Sequence, residues 1–184
     1  APISQNPSAK ILQVDIFSFL KIVGANGDMY YHPWLVMLNE QRRMYPEIAA
    51  FPNKYVYSNM LDNHQEVINS EDLTRIVRRE PLSGDALNLI DLSGSYCAAD
   101  KNTDGSRFNI LSAVVSFCTA VSVQKNQIES IGIITPYAAQ TRLIRAMIKD
   151  YYNGGTSNIS CATVHQFQGS ESDVVIFDAV ESYP

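Results

Sequence analysis

The chain has 184 residues, of which 46% are apolar and 18% charged, and it carries a net charge of −5. That length suits about one domain, and that balance excludes a disordered tail. No apolar run approaches the roughly 18 residues a membrane span needs, and the acidic charge counts against a free-standing nucleic-acid binder, because phosphate contacts supply most of such affinity. A domain forming one wall of a channel is still compatible with it, since Arg42-Arg43, Arg75-Arg78-Arg79 and Arg142-Arg145-Lys149 are local basic clusters. The chain starts at Ala1 without Met and shows no signal peptide, so it is expected to be cut from something longer, or processed. Cys97, Cys118 and Cys161 are odd in number and lack a Cys-x-x-Cys pair, which predicts reduced thiols. His32, His64 and His165 lack metal-ligand spacing, and no metal site is expected.

In chain order, residues 1–12 read as loop. Ile11, Leu12, Ile16, Phe17 and Leu20 recur at helical spacing, predicting a short amphipathic helix over 11–22. Gly24 to Pro33 is turn-rich. Trp34-Leu35-Val36-Met37-Leu38 predicts a buried strand leading into Gln41-Arg42-Arg43, and Pro46 to Phe51 predicts one helical turn. Residues 62–84 show no period. Leu87 to Leu92 has strand composition, and a loop rich in Gly, Asp and Asn follows. Phe108, Leu111, Val115 and Cys118, flanked by Ile110, Val114, Phe117 and Val121, predict a long, mostly buried helix over 107–124. Ile131 to Thr135 predicts a strand. Thr135-Pro136 predicts a helix start, since Thr can cap and Pro is favoured at the first helical position. The stripe of that helix is Ala139, Leu143, Ile144, Met147 and Ile148. Residues 159–164 and 174–179 predict two more strands.

Strands alternating with helices imply an α/β fold with parallel pairing through right-handed crossovers. Short apolar strands suit a sheet covered on both faces. Ligands of such sheets sit beyond the carboxyl ends of the strands. Three polar clusters follow such ends: Gln41 to Arg43, Thr135 to Tyr137, and Thr163 to Glu171. They are expected to share one site edge.

Each cluster has its own chemistry. An arginine fork fits phosphate oxygens, and phosphoryl transfer depends on positioning and on neutralising charge. A hydroxyl and free N–H groups at a helix start suit phosphate. A Gly beside a Gln and a Glu lets backbone approach a ligand while two side chains reach its polar groups. Gly-x-Ser-x-Gly is absent, and His165 and Ser170 stand too close in sequence for a typical hydrolase triad.

Together, Gln41-Arg42-Arg43-Met44-Tyr45-Pro46, Thr135-Pro136-Tyr137 with Gln140, and Thr163-Val164-His165-Gln166-Phe167-Gln168-Gly169-Ser170-Glu171 resemble, in order, motifs of the C-terminal motor domain of superfamily one nucleic-acid helicases. The branch is that of the nonsense-mediated-decay helicase and senataxin. Ala1-Pro2-Ile3 and Asp15 to Leu20 resemble the segments preceding those motifs, so the likeness covers nearly the whole chain. The resemblance implies one RecA-like three-layer sandwich over residues 1–184, ending before the family's last motif. It implies that Arg43 reaches the γ-phosphate of ATP as the catalytic finger. Gln41, Arg42, Gly169 and Glu171 would face the nucleotide, with Glu171 on the ribose hydroxyl. Thr135, Pro136, Tyr137, Thr163 and Val164 would lie along single-stranded RNA or DNA.

The chain departs from the family pattern at four places: Arg42 stands for the adenine-stacking Tyr, Tyr45 for His, His165 for Asp and Ser170 for Arg. It has no Gly-x-x-x-x-Gly-Lys-Ser/Thr and no Asp-Glu pair for magnesium. The resemblance therefore implies ATP and Mg²⁺ as cofactors, with Mg²⁺ held by a missing N-terminal RecA-like domain of the same protein, in a cytoplasmic or nuclear setting without a membrane. Alone, the chain is expected to show no ATPase and weak, salt-sensitive single-strand binding. The rival readings are a catalytically inactive helicase-like module that binds nucleic acid or protein, and an unrelated parallel α/β enzyme.

Overall fold

The computed structural model describes residues 16–21, 36, 38–126, 128 and 130–181. Its centre is a three-stranded parallel sheet in the order β6-β5-β7, built from β5 (Ile131–Thr135), β6 (Ile159–Thr163) and β7 (Val174–Phe177). Ile133 faces Cys161 on one side and Ile176 on the other. Because side chains alternate along a strand, Ile131 and Ile133 point to one face of the sheet and Gly132 to the other. On the first face pack α5 (Ile110–Gln124) and α6 (Ala138–Tyr151). Ala113, Ala120, Val121 and Val123 of α5, Ile144 of α6, Ile159 and Cys161 close the core with them. On the opposite face lies the short α7 (Val164–Phe167), whose Phe167 ring reaches Gly132.

Two smaller ladders flank this core. The parallel pair β1 (Glu40–Gln41) and β2 (Asp62–Asn63) carries the arginine loop. The antiparallel pair β3 (Asp100–Lys101) and β4 (Arg107–Phe108) leads into α5. Between them stand α2 (Pro46–Tyr55), α3 (Gln65–Ile68) and α4 (Glu71–Val77). In the stretch that showed no period, His64 and Ser70 cap α3 and α4 by accepting from Glu66 N and Leu73 N.

The structure corrects several expectations. Only α1 (Ile16–Phe19) of the predicted 11–22 helix falls within the described residues. Trp34, Leu35 and Met37 fall outside them, while Val36 and Leu38 are 83% and 87% exposed and form no strand. The ladder begins instead at Glu40. Leu87 to Leu92 is no strand either, with Leu89 91% exposed. Side chains of the segment bond the backbone just outside it at either end: Asn88 Nδ2 donates to Asp85 O, and Ser93 N donates to Asp91 Oδ1. Such local bonds compete with a ladder. Helix α2 runs past Pro52 to Tyr55. Helix α5 starts only at Ile110, where Asn109 Oδ1 accepts from Ser112 N at 3.1 Å. Its Ile110, Val114 and Cys118 are exposed, so it is less buried than its composition predicts. Helix α6 starts at Ala138, later than the predicted Thr135-Pro136. Val175 and Phe177 of β7 are exposed, so among the described residues the sheet is covered fully on one face only.

Burial raises the Cys161 thiol to about 11, while Cys118 is exposed. The thiolate is the reactive form. At pH 8 a thiol reagent is expected to label Cys118 in the native protein and Cys161 only after denaturation. Peptide mass mapping reads this; equal labelling rates would show that β6 is not buried.

Candidate functional site

The arginine loop is built from its first residue. Gln41 is buried, and its side chain folds into the loop it begins. Its Oε1 accepts the N–H of Arg43 at 2.9 Å and of Met44 at 2.8 Å. Its Nε2 donates to Met44 O at 2.8 Å and to Asn63 Oδ1 at 2.6 Å. Two bonds accepted and two donated fill an amide's capacity. Gln41 therefore clamps the turn, and as placed it faces the loop and not an open cleft. Arg42 is exposed, with Nη2 at 2.9 Å from Glu40 and Nη1 at 3.8 Å from Glu66. Tyr45 precedes α2, whose first residue is Pro46.

The second half of the site follows β6. Thr163 ends the strand, and Gln166 Oε1 accepts from its N–H at 3.5 Å. After α7 the chain turns at Gly169, where φ is +85°. L residues avoid that conformation. A Cβ built there meets nothing within 4 Å, so backbone geometry and not crowding requires the glycine. The turn delivers Glu171, and its Oε2 accepts from Arg43 Nε at 2.9 Å and Nη2 at 2.6 Å. These residues stand 128 positions apart. The side chains are 61% and 73% exposed. Arg43 and Glu171 thus line one surface.

Phe167 supports this loop from below. A Cβ at Gly132 would stand 2.6 Å from Phe167 Cζ and 2.9 Å from Cε2. Gly132→Ala is expected to displace the ring and cost about 1–3 kcal/mol, as overpacking does. Urea unfolding checks the cost. An unchanged midpoint would mean that the ring turns aside freely.

The third cluster is placed differently from expectation. Thr135 is 0% exposed, so its hydroxyl cannot meet a strand in solution; it stands 3.5 Å from Tyr137 N, inside the turn before α6. Thr135 lies opposite Thr163 in the β5–β6 register, which brings Pro136 and Tyr137 beside Thr163 and Val164 at the ends of neighbouring strands. Pro136 and Val164 are exposed; Tyr137 and Thr163 are half-buried. The helix start is not free for phosphate throughout, since Ala139 N donates to Ser106 Oγ at 3.0 Å. The Tyr137 hydroxyl donates to Glu181, which also pairs with Arg107. Tyr137 and Arg107 hold the Glu181 carboxyl below its usual range, and the same bonds raise the Tyr137 phenol and the Arg107 guanidinium.

Gln140, the last residue of that motif, is also fully buried. Its Oε1 accepts from Asn109 N at 2.8 Å. Its Nε2 contacts Asp178 Oδ2 at 2.7 Å, Ser112 Oγ at 3.0 Å and Asn109 O at 3.1 Å. This network ties the starts of α5 and α6 to the segment after β7. Sequence reasoning missed Asn63, Ser106, Asn109, Ser112 and Asp178. Only Asn109 carries a local signal, a capping residue three positions before Ser112 and ahead of an apolar helix.

The exposed groups are a cationic fork that donates and a carboxylate that accepts, beside an open glycine turn. They fit the phosphate and the ribose hydroxyls of a nucleotide. Among the described residues no group of three or more His, Cys, Asp or Glu is placed to hold a metal ion. No described helix is long and apolar enough to cross a membrane.

A parallel sheet with helices packed against it, and polar clusters near the ends of its strands, defines an α/β domain. Residues 25–183 match a family described as an AAA domain. Helicase sen1 of Schizosaccharomyces pombe is 31% identical over 156 residues, covering 81% of this chain and 9% of that protein. The DNA polymerase alpha-associated DNA helicase A of the same yeast is 26% identical over 187 residues, covering 96% of this chain and 27% of that protein. The regulator of nonsense transcripts 1 homolog of Drosophila melanogaster is 28% identical over 152 residues, covering 79% and 12%. The chain belongs to the AAA-domain family of superfamily 1 helicases of the Sen1 and nonsense-transcript-regulator type. It spans less than a third of the length of these relatives.

Proposed function

We propose that this chain is the second RecA-like motor domain of an ATP-dependent RNA or DNA helicase. In this reading Arg43 is a finger delivered to the γ-phosphate of ATP when the domain closes on an N-terminal partner domain. That partner would hold Mg²⁺ and orient the attacking water. The observation that carries the reading is the meeting of Arg43 and Glu171 across 128 residues. One fits phosphate and the other fits a ribose hydroxyl, and both side chains are open to a ligand.

Gly169 lets the backbone pass close to the nucleotide. Gln41 acts one step back, by fixing the loop that aims Arg43. The strand surface is formed by Pro136, Tyr137, Thr163 and Val164, with Thr135 shaping the turn from inside. Arg42 is exposed, and its guanidinium plane can stack on a base once it leaves Glu40. Each closure and opening would shift Tyr137 and Val164 relative to the partner domain and step the strand along.

The test is ATP turnover by the full-length protein carrying Arg43→Ala. A large loss with normal folding is expected. Near-parent turnover in a folded variant would end the finger role.

A further inference from the structure

We propose that Glu171 is a positioning residue for Arg43. Its carboxylate holds the guanidinium beside the glycine turn. An arriving triphosphate takes the guanidinium and leaves Glu171 free for the ribose. The inference rests on the reading of Arg43 as the phosphate-binding group.

Three observations carry it. First, a single oxygen, Oε2, takes both the Nε and the Nη2 hydrogen bonds of Arg43. The fork is therefore already turned toward the loop that ends in Glu171. Second, both side chains are more than half exposed. Exposed ion pairs are weak and exchangeable, so this contact orients the arginine without locking it. A phosphate chain carries more charge than one carboxylate and accepts the same fork bidentately. Third, the backbone of Arg43 is pinned by Gln41 Oε1 at 2.9 Å. The exchange then needs only the side chain to swing, and the loop stays in place.

This arrangement couples the two ends of the nucleotide. A group that binds Glu171 alone competes with Arg43 for one oxygen. A group that offers phosphate to Arg43 releases that oxygen for its own ribose. Ligands presenting both ends gain from each exchange.

The test measures binding of inorganic tripolyphosphate by calorimetry to the full-length protein, E171Q, R43A and the double variant. Tripolyphosphate has no ribose, so a ribose contact of Glu171 is silent in this measurement. The expected result is that E171Q binds it about two- to five-fold tighter, the range over which a weak exposed pair competes. R43A binds it more weakly than the parent, and adding E171Q to R43A changes nothing. Equal tightening in both backgrounds would show simple charge repulsion and overturn the proposal, and so would no tightening in either. Failure of the underlying reading looks different: R43A would then bind tripolyphosphate and turn over ATP like the parent.

Discussion

Arg43→Lys is expected to turn over ATP nearly as slowly as Arg43→Ala, each losing about 10³–10⁵ of the parent rate in the full-length protein. The charge survives in the lysine variant, but the shape does not. Lysine is a compact point charge on a flexible stem and cannot present a planar fork to two oxygens. The loss should appear mainly in kcat, because the charge on the transferred group peaks in the transition state and a finger acts there. KM should move far less. Misfolding is a poor alternative explanation: Arg43 is 61% exposed and its partner Glu171 is 73% exposed. Surface pairs of this kind contribute at most about 1 kcal/mol. Steady-state turnover with a thermal unfolding curve checks both halves of the argument. A lysine variant running near the parent rate would reduce Arg43 to a source of positive potential.

The parts of this fold that could be read ahead were those set by local periodicity. The β-branched run at Ile131 to Thr135 and the apolar stripe from Ala139 to Ile148 need no distant partner to declare themselves, and both elements stand within a few residues of expectation. The meeting of Arg43 with Glu171 has no such local signal. The order of the motifs anticipates it, but the parallel sheet does not explain it, because among the described residues β1 pairs with β2 in a ladder apart from β5, β6 and β7. Polar residues inside those motifs were harder to read. Thr135 and Gln140 have the chemistry of ligand contacts, yet both side chains are buried. Hydrogen-bonding capacity looks the same in a sequence whether it is spent on a neighbour or offered to a strand. Leu87 to Leu92 failed for a related reason: apolar composition says nothing about whether Asn88 and Asp91 will bond the flanking backbone of Asp85 and Ser93.

Gln140→Leu is expected to cost about 3–5 kcal/mol of stability, more than the roughly 0.5–1.5 kcal/mol of an Ile133→Val trim in the same core. Leucine nearly fills the volume, so the cost is polar. It removes the amide at 2.7 Å from the Asp178 carboxylate and the acceptor at 2.8 Å from Asn109 N. Asn109 and Asp178 are both buried, so water cannot replace those bonds without opening the starts of α5 and α6. A buried donor left unpaired costs about 1–3 kcal/mol, and a buried charge costs more. The network makes a second outcome follow. Asp178→Asn removes the charge that Gln140 serves, so once Gln140 is gone the carboxylate has less left to lose. The double variant should therefore lose clearly less than the two single losses added together, as coupled neighbours do. Urea unfolding at constant m-value measures all three. Strictly additive losses would mean that the two side chains act independently, and that the ends of α5, α6 and β7 are held by packing alone.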